Sequence, residues 1–410
     1  MEETKHIHIN DYDYPLPEER IAKYPIGERD HSKLLVYNRG DISDTLFLNI
    51  TDYIPQGSLM VFNNTKVILA RLHFHKETGA LIEIFCLEPH LPKDYERIFQ
   101  QKESCEWLCL IGNRKKWKEG TLRQELHWNN STVTLSADFC GMSGSSNIIR
   151  FSWDNAELTF SDILSLAGEL PIPPYLNRKA EDTDKKDYQT IYSKIEGSVA
   201  APTAGLHFTP AVLEAIDRKG IERNEITLHV GAGTFRPVKS EEIEGHEMHS
   251  EYIYVPLTSI NALLRHQGKC TCVGTTSVRT IESLYYIGAN IISNPTLSEE
   301  ELKVRQWQPY EETPHISNIQ ALEAIRDYLV SNHLSALHTS TQIIIAPGYK
   351  YHYVRCIVTN FHMPKSTLLL LVSAFIGESW KEVYQYALQH GFRFLSYGDS
   401  SILIPTTEND

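Results

Sequence analysis

Between residues 67 and 153, apolar and polar positions alternate in short runs: RLHFH, ALIEIFCLEP, EWLCLIG, TLRQELHW, STVTLSA and NIIRFSW. A period of two sends successive side chains to opposite faces of a strand, so each run predicts a half-buried β-strand. KETG, KKWKEG, WNNS and GMSGSS separate the runs as turns. Strands this closely spaced favour a small closed or nearly closed barrel, because closure removes exposed edges. Outside this stretch apolar strands alternate with amphipathic helices, the texture of an α/β layer structure. The expected fold class is therefore α/β. A large discontinuous α/β domain, residues 1–66 and 154–410, would carry a small all-β barrel domain inserted at 67–153.

Three junctions in the larger part share one pattern, a strand or turn followed at once by a helix start. In VAAPTAGLHFTPAVLEAIDRKG, Thr209 caps a helix that begins at Pro210, just after His207, and ends at Gly220. In CTCVGTTSVRTIESL, a β-rich stretch runs through Gly274 into Thr275, Thr276 and Ser277, then into a helix bearing Arg279 and Glu282. In VRCIVTNFHMPKSTLLLLVSAF, a strand ends near Asn360, a turn spans His362 to Lys365, and Ser366 or Thr367 caps the next helix. Helix starts expose unpaired N–H groups, and ligands collect at the carboxyl ends of strands in open α/β sheets. Three such ends rich in His, Thr, Ser, Arg and Lys predict a polar pocket.

Other segments narrow the chemistry. TLHVGAGTFRPV follows a strand at 226–230, but Gly231 and Gly233 lack the third glycine and the helix start of a dinucleotide fingerprint. Close approach of backbone to a ligand is the better reading of these glycines. HEMHSE places His246, His249 and Glu251 together, yet its order is HExH, not the HExxH of a helical zinc site, so no metal is expected. Asp399, in SYGD, is either a turn residue or the group that orients a histidine or cation.

Composition changes the picture at two points. A net charge of −13 in 410 residues excludes a generic nucleic-acid coat, so any RNA must meet a local basic patch. NRKKWKEG, with Arg114, Lys115, Lys116 and Lys118 around Trp117, is the clearest one; a solvated hairpin with one packed ring is the plainer alternative. The apolar run Leu368 to Ile376 falls short of the roughly 20 residues that span a bilayer, and a core helix is expected there. The polar beginning of the chain has no apolar core of a secretory signal, and a cytoplasmic protein is expected. Seven scattered cysteines suit reduced core thiols, with Cys270 and Cys272 expected to face opposite ways on their strand.

Taken together, GSVAAPTAGLHFT, TLHVGAGTFRPV, HEMHSE, VGTTSVRTIES, TNFHMPKSTLLLLVSAF and FRFLSYGD occur in the order and wording of one known family. DYDYPLPEERIAKYPIGERDHSKLLVYNR, VFNNTKVILARL and GELPIPPYLNR fit it too. The chain resembles the S-adenosylmethionine:tRNA ribosyltransferase-isomerase family over nearly its whole length. That resemblance implies an α/β domain with an inserted β-barrel. It also implies transfer of the ribosyl part of S-adenosylmethionine to a 7-aminomethyl-7-deazaguanine at the tRNA wobble position, with isomerisation to epoxyqueuosine and release of adenine and methionine. The partners would be S-adenosylmethionine and a tRNA anticodon stem-loop, whose unpaired wobble base can be splayed into a pocket. No cofactor is implied, because S-adenosylmethionine is consumed as a substrate.

Such a reaction needs at least two acid–base groups. His207, His229, His249, His362, Glu251 and Asp399 are the catalytic candidates. Thr203, Gly205, Gly231, Gly233, Arg236, Thr275, Thr276, Ser277, Arg279, Asn360 and Lys365 are the substrate-binding candidates, the Arg279, Lys365 and Thr275–Ser277 group for a methionine carboxylate or an RNA phosphate. Three departures stand out: Asn64 where the family usually has Asp, Leu69 where it usually has Pro, and a longer connection at about 284–341. A run there, NIQALEAIRDYLVSNHL, has helical amphipathic spacing and predicts an ordered addition beside the pocket. A paralogue acting on another RNA or a free 7-deazapurine, or a noncatalytic RNA-binding relative, are the alternative readings.

Overall fold

The computed structural model describes residues 2–76, 78–231, 238, 240–311 and 316–406. Its chain order explains how one core contains an insertion. Strands β1 (Lys33–Asn38), β2 (Asp41–Leu46) and β3 (Leu59–Asn63) come first, followed by the short β4 (Thr65–Val67). The chain then leaves through β5 (Arg71–His75), β6 (Leu81–Leu91), β7 (Ser104–Gly112), β8 (Leu122–Trp128), β9 (Ser131–Ser143), β10 (Ser146–Trp153) and β11 (Gly168–Glu169). It returns in β12 (Ile195–Ser198), which pairs in parallel with β4 where the chain went out.

The remaining strands are β13 (Glu222–Leu228), β14 (Glu251–Pro256), β15 (Cys270–Val273), β16 (Ala336–Thr341), β17 (Val354–Asn360) and β18 (Ser400–Ile404). They join β1 to β3 in one nine-stranded sheet, ordered β16-β14-β13-β3-β15-β17-β18-β1-β2. Its centre, β13-β3-β15-β17, is parallel, and β14, β16 and β2 extend it antiparallel. The central strands are apolar at nearly every position because helices cover both faces, as β3 shows with all five residues buried. The second sheet is antiparallel throughout, ordered β11-β5-β6-β7-β10-β9-β8. It curls until β8 lies beside β5, though no ladder joins those two strands among the described residues. The expected barrel is thus a half-barrel. Its apolar core holds Trp107, Phe151 and the buried face of the helix Phe160–Ala167, which starts with a Thr159–Asp162 capping box.

Two of the predicted helix starts form as the sequence implies, and the third comes earlier than expected, its helix already running from Thr275 through the residues read as a turn. Thr209 accepts from the Val212 N–H and Gly220 ends that helix at φ +71°. Ser366 accepts from the Leu369 N–H at 3.2 Å. Cys270 and Cys272 depart from expectation. Their sulfurs lie 3.8 Å apart, because residues two apart share one face of a strand. All seven cysteines are free thiols and all but Cys140 are buried.

The 284–341 segment is built into the core. The helix Thr275–Ser293 has 15 of its 19 residues buried, since the sheet covers one side and the helix Asn318–Ser331 the other. Gly288 is the point of closest approach: a Cβ there would stand 2.4 Å from the Ala321 carbonyl oxygen. Gly288→Ala is expected to lower stability by about 1–3 kcal/mol in urea melts, because backbone must move to admit the methyl. The same segment ends in β16, the edge strand that pairs with β14. No helix of the described residues is long and apolar enough to cross a membrane.

Candidate functional site

Parallel strands end together, so the chain segments after β15 and β17 converge on one edge of the sheet. A cleft opens there, walled by Gly274 to Thr276 and Thr359 to Met363. The antiparallel β14 begins where its neighbour β13 ends, which brings His249 and Glu251 to the same edge. The 200–204 turn closes another side, with Thr203 facing the cleft, and Tyr175, Tyr188 and Ser396 complete it. Tyr175 and Ser396 share a hydrogen bond of 2.5 Å.

The electrostatic centre of the cleft is an ion pair. Glu251 and Arg279 are both buried, at 4% and 7% exposure, and bond to each other. Arg279 Nε donates to the Ile343 carbonyl at 3.2 Å, while its Nη2 is buried without a partner. One turn away, Gly274 caps the Thr275–Ser293 helix with no side chain, so its first N–H groups lack a side-chain acceptor. Donor groups of helix and guanidinium therefore lie together on the cleft wall, an arrangement suited to an anion.

Histidines of the cleft differ in kind. His362 Nε2 and Thr359 Oγ1 are 2.9 Å apart, and burial holds the imidazole down to about 4, so it is neutral at physiological pH. Tyr14 donates to its carbonyl oxygen and its N–H reaches the Tyr384 oxygen at 3.1 Å. His246 is lowered by burial and then by His249, which stands exposed at the rim. The segment bearing them is gripped by two glutamines: Gln306 donates to the His246 carbonyl at 2.7 Å and accepts from the Met248 N–H at 2.9 Å, and Gln342 donates to the Met248 carbonyl at 3.2 Å. Gln306 belongs to the long 284–341 connection, which thus braces one wall of the cleft.

A sequence model of the family described as Queuosine biosynthesis protein matches residues 9–403. The chain belongs to this queuosine biosynthesis family. Among solved structures it is similar to the crystal structure of S-adenosylmethionine tRNA ribosyltransferase from Thermotoga maritima, at 27% identity over 96% of this chain and 100% of that one, with a TM-score of 0.45.

In this member of the queuosine biosynthesis family, the cleft brings together His249, His362, Glu251, Thr203, Thr275, Thr276, Arg279 and Asn360. Other candidates are not part of the cleft lining. His229 bonds Thr65 Oγ1 at 2.9 Å and packs on Tyr95 with ring centres 4.2 Å apart, at the seam between the two sheets; burial lowers it to about 3. His207 is buried behind Asn360. Asp399 accepts from the N–H groups of Lys33 and Arg393 and from the Arg393 guanidinium, and so ties the chain before β18 to β1. Ser277 back-bonds to the Val273 carbonyl at 2.7 Å, and Gly205 packs where a Cβ would meet the Tyr192 hydroxyl. Lys365 pairs with Asp13 at 3.0 Å. Gly231 follows Val230 of the wall, whereas Gly233 and Arg236 lie outside the described residues.

Asn64 accepts from Thr227 Oγ1 at 2.7 Å and donates to Glu225 at 3.1 Å, and it is not among the residues of the cleft wall. Its neighbour Asn63 does reach the wall, donating to Thr276 Oγ1 at 3.2 Å. Sequence reasoning missed Tyr175, Tyr188 and Ser396. Tyr175 and Ser396 stand inside GELPIPPYLNR and FRFLSYGD, but Tyr188 had no motif to mark it. Among the described residues, the group close enough to share a metal ion is His6, Glu242 and Glu244, and none of the three lines the cleft.

The basic segment lies on the half-barrel, between β7 and β8. Arg114 is engaged in packing: its guanidinium lies over Phe139 at 4.2 Å and bonds to the Trp117 carbonyl, while the Trp117 ring is buried. Lys115, Lys116 and Lys118 are exposed.

Proposed function

We propose that this cleft transfers and isomerises the ribosyl moiety of S-adenosylmethionine onto 7-aminomethyl-7-deazaguanine in the wobble position of tRNA, yielding epoxyqueuosine. The observation that carries the reading, given the family, is the buried Arg279 with an unpartnered Nη2 beside an uncapped helix start and the Glu251 carboxylate. S-adenosylmethionine presents an anionic carboxylate and a cationic sulfonium. The Arg279 corner suits the first, and Glu251 supplies negative charge for the second.

Loss of a proton from the carbon beside the sulfonium needs a base, and departure of adenine needs a proton donor. His249, His246 and His362 are the imidazoles that face the cleft. The neutral state of His362 suits it to accept a proton or a hydrogen bond. No resident cofactor or metal enters this scheme, since the sulfonium carries the activating charge. A tRNA partner and reduced thiols are in keeping with a cytoplasmic enzyme.

The test is incubation with S-adenosylmethionine and tRNA carrying the aminomethyl base, reading adenine release and digested nucleosides by mass spectrometry. Epoxyqueuosine with stoichiometric adenine is the expected result. Adenine without that nucleoside would point to another acceptor, and no turnover would defeat the proposal. For the RNA, replacing Lys115, Lys116 and Lys118 by glutamine is expected to weaken tRNA binding several-fold at low salt. The slope of log K against log salt should flatten by about one unit for each phosphate no longer neutralised. An unchanged slope in filter binding would place the segment away from the RNA.

A further inference from the structure

Asn360 closes β17 at the cleft and is 3% exposed, yet its Oδ1 has no partner. Its Nδ2 donates to the Leu395 carbonyl at 3.2 Å and to His207 Nε2 at 3.2 Å. A carbonyl can only accept, so the Leu395 bond settles which end of the amide is nitrogen. Both amide hydrogens are then engaged, so the one group this cleft-lining side chain has left to offer is an acceptor. Because His207 Nε2 accepts, its proton sits on Nδ1, which lies 2.8 Å from Ser32 Oγ. The ring is packed against Phe47, with Arg29, Arg393 and Asp187 around the small cavity behind it. Burial, and then the charges of Arg393 and Arg29, hold His207 down to about 3 and keep it neutral.

We infer that Asn360 Oδ1 is a fixed acceptor for an N–H group of a purine-type base bound in the cleft, and that His207 is the positioning residue that locks it there. The inference rests on the cleft being the site of ribosyl transfer. An unpaired buried acceptor is costly, so it selects ligands that bring a donor and rejects those that do not. Phe361 and Leu395, which line the cleft with it, give an apolar wall that suits a ring. Two exocyclic amino groups in the proposed reaction are such donors: that of adenine in S-adenosylmethionine and the 2-amino group of the 7-deazaguanine.

The experiment compares His207→Ala and His207→Gln with wild type, measuring kcat and KM for each substrate and the pH profile. Gln offers one donor and one acceptor in place of the imidazole pair. His207→Ala is expected to raise KM for the substrate whose N–H is accepted by roughly tenfold, with a smaller loss in kcat. His207→Gln should recover most of that loss, with the limbs of the pH profile unmoved. A folded His207→Gln as inactive as His207→Ala would make His207 a base and overturn the inference. So would unchanged KM for both substrates in His207→Ala. A ligand-side arm needs no variant: wild type is titrated with S-adenosylmethionine lacking the purine amino group, and with tRNA whose deazapurine lacks the 2-amino group. Weaker binding of one by roughly tenfold identifies the source of the donor; undiminished binding of both overturns the inference. Wild type that neither binds S-adenosylmethionine nor turns over defeats the parent reading instead.

Discussion

Replacing Arg279 by methionine is expected to destabilise the protein by about 3–5 kcal/mol and to remove measurable binding of S-adenosylmethionine. The stability loss follows from Glu251, which is 4% exposed and has the Arg279 guanidinium as its ion-pair partner. Removing the cation leaves a carboxylate stranded away from water, a far larger penalty than the net worth of the pair. The binding loss follows from Nη2, a buried donor without a partner in a residue that lines the cleft. Since a domain is stable by only about 5–15 kcal/mol, the methionine variant can fail before it is assayed. Arg279→Lys separates the two effects. It keeps the charge beside Glu251 but lacks the planar fork, so urea melts should show a smaller loss of stability while calorimetry still shows affinity reduced more than tenfold. Wild-type affinity in a folded Arg279→Lys would mean that the ligand carboxylate binds elsewhere.

Glu282→Ala is expected to cost about 4 kcal/mol or more without touching the cleft directly. Glu282 sits at 0% exposure in the Thr275–Ser293 helix and accepts four hydrogen bonds: from Tyr349 Oη and the His352 N–H at 2.8 Å, and from the N–H groups of Tyr353 and Val354 at 2.9 Å. It stands in for a neighbouring strand at the point where β17 begins. Deleting it leaves three backbone donors and one hydroxyl unpaired in the interior, at about 1–3 kcal/mol each before relaxation. Glu282→Gln should cost less, because one amide oxygen still accepts while the amide nitrogen opposes a donor. A loss below about 1 kcal/mol for Glu282→Ala in urea melts would show that the loop finds other partners.

The 284–341 connection is a structural part of the cleft's surroundings. It supplies the helix that covers Thr275–Ser293, the β16 edge strand and, through Gln306, the brace on the His246–Met248 wall.

Local chemistry was legible without coordinates wherever it depended on near neighbours in the chain. The alternating runs became strands of the half-barrel, the Thr209 and Ser366 caps formed, and the amphipathic run became the helix Asn318–Ser331. Strand-to-helix turns also marked the edge of the sheet that holds the cleft, because parallel strands must end on the same side. What the sequence could not decide was which polar residue of each turn faces the cleft. His207 and Asn360 lie 153 positions apart and touch, so that the histidine stands behind the wall and the amide in it. Asp399, equally polar, turns to Lys33 and Arg393 instead. Side-chain direction there is set by the pairing of β1, β18 and β17 side by side in the sheet, a long-range choice that no local period encodes. Composition and pattern determined the layers and the helix starts; tertiary packing chose between the cleft and the core for each histidine and carboxylate.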